Sequence, residues 1–309
     1  MRQERIGGVD TERREELGRA FTTERPRLVS LAYRMIGSLA DAEDVVQETW
    51  IRLQRAATDA STAPRDLPAW LTTTATRLAL DQLRATGRRK ETYVGPWLPE
   101  PRVAAAHQQW VDPEQAAALA DELSFALLVV LESLSPAQRA AFVLHDTFGI
   151  PFEQVADVLG RTPAAVRQLA SRARQQVATG ARHQDADAQT HQRVVEAFLA
   201  ASAGGDLLAL VGLLDPSVVY RADGGGVVQA ARKAVHGADN VARLLLGVLG
   251  RAEPGTVVEV RLVNGEPGLV FAQDGKAIGV VAFDVTPEGR IAALDVQLNP
   301  EKLALVRLH

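Results

Sequence analysis

Residues 150–177 read IPFEQVADVLGRTPAAVRQLASRARQQV. Val155, Ala156 and Leu159 recur at helical spacing and mark the inward face of a short helix. Gly160 permits a tight turn. Thr162 followed by Pro163 is an N-cap with proline at the first helical position. A second helix follows, with Val166 and Leu169 or Ala170 inward. This is the pattern of a helix-turn-helix, whose second helix enters the major groove of DNA. That helix turns Arg167, Gln168, Ser171, Arg172 and Arg174 outward, and Arg161 lies in the turn before it. Arginine clamps phosphate and reads guanine edges, and glutamine reads adenine. A plain helical hairpin with a solvated basic face is the alternative. The glycine turn, the cap and the arginine density favour DNA.

Upstream, residues 10–90 are helical in pattern. In DAEDVVQETWIRLQR (41–55), Ala42, Val46, Thr49 and Leu53 share one face. Asp41, Asp44 and Glu48 form an acidic stripe on another. Residues 56–67 read as a polar loop. In LPAWLTTTATRLALDQLRATGRRK (67–90), Arg77, Asp81, Arg84 and Arg88 share a face, with Leu71, Ala75 and Leu78 on another. By itself this is a salt-bridged surface helix. Residues 113–182 return to helical patterns, with Ser135-Pro136 as a further cap-plus-proline start.

A chain of 309 residues suggests two or three domains. The absence of cysteine excludes disulfides and thiolate metal sites, and fits a reducing cytoplasm. The N-terminal stretch has no apolar segment of the signal-peptide kind, and no apolar run reaches membrane-helix length. Net charge is −4, and it is unevenly spread: residues 1–182 carry 23 basic and 23 acidic side chains, residues 183–309 carry 11 and 15. A balanced front half can still hold one basic and one acidic face. After the polar connector 181–192 the character changes. Helical patterns at 191–203 and 236–249 are interspersed with the strand-like runs SVVYRA, TVVEVRLV, GLVFAQ, AIGVVAFDV and RIAALDVQL. NGEPG, DGK and TPEG supply the turns. The expectation is an α+β domain with a curved antiparallel sheet.

RPRLVSLAYRMIGSLADAEDVVQETWIRL, the 67–90 helix and LSPAQRAAFVLHDTFGIPFEQVADVLGRTPAAVRQLASRARQQV resemble, in order, sigma regions 2.1–2.2, 2.3–2.4 and 4.1–4.2. The chain thus resembles a bacterial sigma factor of the extracytoplasmic-function (ECF) group. The resemblance implies that Asp41, Asp44, Gln47, Glu48 and Trp50 dock on the β′ subunit of RNA polymerase core, with the β subunit as a further partner. It implies that Arg77, Arg84 and Arg88 bind the −10 element, where an unstacked base must be captured. Arg161, Arg167, Gln168, Ser171, Arg172 and Arg174 would read the −35 element. ECF recognition helices often carry arginine where this chain has Leu169.

Residues 183–309 resemble a SnoaL-like cone domain. The subgroup with such an extension shares three stretches with this chain: WLPEP (97–101), DGGG (223–226) and NPEKL (299–303). Val227 and Glu301 depart from the subgroup's usual lysine and aspartate. The resemblance implies regulation of the sigma core in cis, through Trp97, Leu98, Pro99, Asp223, Gly224, Gly225, Gly226, Asn299, Pro300, Lys302 and Leu303. Some cones of this kind are enzymes. Tyr220, Asp223, His236 and Asp295 are the acid/base candidates, but no pattern pairs two of them, and Asp223 reads as a turn residue. No catalysis, cofactor or metal is expected, the histidines being dispersed. A small ligand in the cone is left open. The rival is a helix-turn-helix regulator with a ligand-sensing or enzymatic cone.

The stretch GPWLPEP (95–101) joins two helical domains with a stiff, apolar spacer. Trp97 and Leu98 read as an anchor, either on the cone near DGGG or on neighbouring helices. The expected organisation is two all-α sigma domains, a helical bundle (1–92) and a helix-turn-helix domain (113–182), joined by a linker (93–112) and followed by the cone (183–309).

Overall fold

The computed structural model describes residues 2–58, 63–90, 92–104, 124–180, 186–249 and 254–308, excepting the side chains of 2–14, 88–90, 180 and 249. Part of the polar loop, the second half of the linker and residues 113–123 therefore lie outside the described residues. The chain divides into two compact units, Met1–Thr86 with Ser135–Ala173, and Gly87–Leu134 with Arg174–His309.

The first unit is helical. Helix α1 (Arg2–Ile36) ends where Gly37 takes φ 78° and its N–H bonds to the Tyr33 carbonyl, and Ser38 caps α2 (Leu39–Ala57) by accepting from the Asp41 N–H. Ala42, Val46, Thr49 and Leu53 of α2 are buried, as their spacing requires. Asp66 accepts from the Ala69 N–H at the start of α3 (Leu67–Lys90). Leu71 and Ala75 of α3 are buried, but Leu78 is only half-buried and Ala79, Leu80 and Leu83 face inward instead. The helix therefore buries a wider stripe than the one read from spacing. Two short helices follow in the chain, α4 (Phe125–Glu132), which belongs to the second unit, and α5 (Pro136–Phe142) of the first, opened by a Ser135/Gln138 capping box. A π-turn (Val143–Thr147) leads to α6 (Phe152–Leu159) and α7 (Pro163–Gly180). Gly160 is left-handed at φ 63°, and the Thr162 hydroxyl accepts from the Ala165 N–H. Val155, Ala156, Val166 and Ala170 are buried, which settles the inward position in favour of Ala170; Leu159 and Leu169 are half-buried. Within this unit the buried Arg139 donates to the Met35 carbonyl at 2.8 Å, and the Arg34 guanidinium lies 5.2 Å from the Phe148 ring centre.

The second unit is built on a six-stranded sheet in the order β2-β1-β6-β5-β4-β3. The strands are β1 (Leu214–Asp223), β2 (Val235–His236), β3 (Val257–Val263), β4 (Glu266–Gln273), β5 (Lys276–Val285) and β6 (Ile291–Gln297). Helices α8 (Ala188–Ala203), α9 (Leu207–Leu213) and α10 (Ala238–Leu249) complete it, with a final turn of helix, α11 (Pro300–Leu303). The expected antiparallel sheet is mixed: β1 pairs with β6 in parallel, Tyr220 opposite Leu294 and Asp223 opposite Gln297. The other pairings are antiparallel. The reason is connectivity. A hairpin joins adjacent antiparallel strands, whereas β1 meets β6 only after the intervening chain has crossed back.

The sheet is apolar on both faces. Leu269, Val281 and Phe283 join Val195, Phe198 and Leu210 in a core with α8 and α9. Their neighbours Val270, Val280 and Ala282 point the other way, where Leu98, Phe125 and Leu303 cover them. Period-two alternation thus feeds two cores. The second is closed by segments outside the sheet: the linker, α4 and the C-terminal turn.

Candidate nucleic-acid interface and linker site

Helix α7 presents Arg167, Gln168, Ser171, Arg172 and Arg174 to solvent, with Arg161 exposed in the turn. Capping at Thr162 and burial of Val166, Ala170 and Ala173 fix which side of the helix remains outside. Arg167 is partly committed: it pairs with Glu153 at 2.9 Å and lies 5.5 Å from the Phe152 ring centre. On α3, Arg77 and Arg84 are exposed; Arg84 pairs with Asp81 at 3.0 Å, and Arg77 reaches the Asp157 carbonyl at 3.4 Å. The Arg88 side chain lies outside the described residues. These are surfaces of the kind that meet phosphate, since exposed pairs of this sort contribute little and exchange readily.

The α2 residues singled out in the sequence divide into two kinds. Asp44 and Gln47 are exposed. Asp41 accepts from Gln82 at 3.0 Å, and Glu48 pairs with Arg52 at 2.8 Å. Trp50 packs on Phe21, ring centres 4.8 Å apart. Among the described residues Asp44 and Gln47 are therefore the free-standing members of the group, and Asp41 and Trp50 also hold helices together.

The three stretches WLPEP, DGGG and NPEKL converge on one site. Asp223, wholly buried at the end of β1, accepts from the Leu98 N–H at 2.9 Å and from Lys302 Nζ at 2.7 Å through Oδ2. Its Oδ1 accepts from the Tyr93 hydroxyl at 2.5 Å and from the Gly225 N–H at 3.0 Å. Lys302 also donates to the Leu98 carbonyl at 2.6 Å, and its ammonium sits 3.5 Å from the Trp97 ring centre. Trp97 meets Tyr93 edge-on at 4.6 Å between centres. Gln297 donates to the Pro99 carbonyl at 3.0 Å, and Asn299 donates to the Tyr93 hydroxyl at 3.0 Å. Burial, and then the Asp223 carboxylate, push the Tyr93 phenol far above its ordinary value, so it remains a donor.

Leu98 is 1% exposed among Val263, Val270, Val280 and Leu303. Burying such a side chain contributes roughly 1.5–3 kcal/mol. The chain then runs on along β3: Arg102 and Asn264 exchange hydrogen bonds, and the Ala104 N–H bonds to the Leu262 carbonyl. The glycines of DGGG serve closeness. Gly225 is left-handed at φ 67°, and a Cβ there would lie 2.6 Å from Asn299 Cγ. The turn reading of Asp223 holds as far as its bond from the Gly225 N–H, but the residue is also a buried carboxylate with a buried ammonium partner. Pro300 and Glu301 are exposed at the start of α11, and Val227 is 78% exposed.

The remaining acid/base candidates lie on the neighbouring strands β2, β1 and β6, each in a different setting. Asp295 is held by a bidentate Arg221 at 2.5 and 2.9 Å. Tyr220 lies in the apolar core, where burial raises its pKa. His236 is exposed on β2. Among the described residues no cluster of His, Asp and Glu forms a metal site, and no helix is long and apolar enough to cross a membrane. Tyr93, Gln297 and Asn264 are parts of the linker site that spacing did not reveal, because their partners lie well over a hundred residues away.

A helical unit with an exposed basic recognition helix, joined by a docked linker to an α+β domain, defines a DNA-directed factor. Residues 20–89 match Sigma-70 region 2 and residues 124–177 match Sigma-70, region 4. The ECF RNA polymerase sigma factor SigJ of Mycobacterium tuberculosis (strain ATCC 25618 / H37Rv) is 44% identical over 292 residues, 91% of this chain and 91% of that protein. The probable ECF RNA polymerase sigma factor SigI of Mycobacterium tuberculosis (strain CDC 1551 / Oshkosh) is 35% identical, over 93% of this chain and 95% of that one. The crystal structure of Mycobacterium tuberculosis SigJ matches with a TM-score of 0.73 at 41% identity, covering 93% of this chain and 98% of that one. The chain belongs to the ECF RNA polymerase sigma factor family.

Proposed function

We propose that this protein binds RNA polymerase core and directs it to promoters, and that its C-terminal domain controls that activity in cis by holding the linker. In this reading the exposed Asp44 and Gln47, with Glu48 and the supporting Asp41 and Trp50, meet the β′ subunit of the core. Arg77, Arg84 and Arg88 track the −10 element. Arg161 and the outer face of α7 read the −35 element. The net charge of −4 leaves little general attraction for DNA, so specific binding belongs to the complex with core.

The observation that carries the regulatory reading is the Asp223 site. One carboxylate binds the linker backbone at Leu98, a linker phenol and the Lys302 ammonium together. An intramolecular contact of this kind acts at high effective concentration. Phe125 of α4 packs on the same face of the sheet, so region 4 begins on the C-terminal domain. The domain acts by binding, not by catalysis: Asp223, Asp295 and Tyr220 are each taken up by structural partners or by the core. The setting is the cytoplasm, where the polymerase is. Run-off transcription with purified core polymerase on a promoter library tests the reading. A discrete product is expected, and no product from any template overturns it.

A further inference from the structure

Leu169 of α7 has no part in the proposed reading of DNA. It is half-buried and turns away from the exposed arginines, into a cleft of about 580 Å³ within the first unit. One wall is α3, with Arg77, Leu80 and Arg84. Another is the helix-turn-helix, with Leu159, Arg161 and Leu169, and Ser135, Pro136 and Ala137 at the start of α5 complete the lining. The volume falls in the range of small-molecule sites, roughly 300–1,000 Å³. Its chemistry is two-part. Leu80, Leu159 and Leu169 give an apolar floor, and three guanidiniums stand at the rim.

The rim carries a surplus of positive charge. Asp81 is the one acidic side chain lining the cleft among the described residues, and it is paired with Arg84. Among the described residues, Arg77 makes only the long contact to the Asp157 carbonyl. The Arg161 side chain makes no hydrogen bond or ion pair among the described residues. Arginine at such a site presents a fork that matches phosphate oxygens.

We infer that this cleft binds a small organic phosphate of nucleotide size, its ring system on Leu80, Leu159 and Leu169 and its phosphates across Arg77, Arg84 and Arg161. Such a ligand contacts α3 and the helix-turn-helix at once. It also covers three arginines assigned above to promoter DNA, so it competes with the promoter. That consequence rests on the proposed DNA roles; the binding itself does not.

Isothermal titration calorimetry of the full-length protein with ATP, GTP, ADP, adenosine and inorganic triphosphate tests it. At least one nucleotide binds saturably, and adenosine and triphosphate bind at least about tenfold more weakly. Arg161→Ala and Leu169→Asp each weaken nucleotide binding by about tenfold or more. Arg243→Ala, exposed on α10 and outside the cleft, leaves it unchanged. Circular dichroism verifies folding, and Arg84→Ala stands in for any variant that does not fold. No binding by any nucleotide at millimolar concentration overturns the inference. So does binding indifferent to the Arg161, Arg84 and Leu169 variants, or triphosphate binding as tight as the nucleotides. If a nucleotide binds but leaves run-off transcription unchanged, only the competition with promoter DNA falls.

Discussion

The Lys302 ammonium lies 3.5 Å from the centre of the Trp97 ring while donating to the Asp223 carboxylate at 2.7 Å. The last turn of helix in the chain thus grips the linker through one buried cation, whose side chain is 8% exposed against 0% for its partner. A buried pair of this kind is weak evidence of net stability, because desolvation opposes the attraction. Removing one partner is a different matter, since it strands the other. Lys302→Met is expected to destabilise the C-terminal unit by about 3–5 kcal/mol. The double variant Asp223→Asn with Lys302→Met is expected to cost less than the sum of the two single changes. Urea denaturation followed by circular dichroism measures both; additive effects would show that the two groups do not act as a pair.

Leu98 tests the apolar half of the same contact. Leu98→Ala leaves the hydrogen bonds of its backbone in place and empties a site between Val270 and Leu303. A loss of about 2–5 kcal/mol is expected, with faster proteolysis within residues 93–104. Unchanged stability and cleavage would mean that the linker is not held by this side chain.

How far this was legible in the sequence depends on the distance over which each feature is decided. The helix-turn-helix is local: Gly160, Thr162 and Val166 specify it within a few residues, and it stands as read. The strands were legible too, because alternation is local. The parallel β1/β6 pairing was not, since nothing within β1 announces that residue 223 will lie opposite residue 297. Asp223 shows the same limit. A carboxylate before three glycines has the pattern of a turn, and only the fold brings Tyr93 and Lys302 to it. Trp97 was the visible signal for the linker site, yet the deeper anchor is the less conspicuous Leu98.

His191, on α8, is buried, with Nε2 lacking a partner among the described residues. Burial lowers its pKa to about 4. Because the folded value is below the unfolded one of about 6.5, the unfolded chain binds the extra proton first. Stability is fully present above pH about 6.5 and falls as pH drops towards 4, by about 3 kcal/mol in all. His191→Phe is expected to flatten this part of the profile. A denaturation midpoint with the same pH dependence in both proteins would assign the effect elsewhere.

Asp44 is exposed and free of the ties that hold Asp41 to Gln82. Asp44→Lys is expected to weaken core binding on the order of tenfold, with thermal stability unchanged. Asp41→Lys is expected to lower both. Equal core affinity for wild type and Asp44→Lys, read by fluorescence anisotropy, would remove the acidic stripe from the core interface.

Control of the sigma core by the C-terminal domain, as proposed, runs through the linker. The direct measurement is run-off transcription with core polymerase on one promoter, comparing the full chain, a chain ending at Leu298 and the Lys302→Met variant. Both altered proteins are expected to shift product yield in the same direction, by about fivefold or more, a change of about 1 kcal/mol in the underlying balance. Equal yields from all three proteins would contradict it.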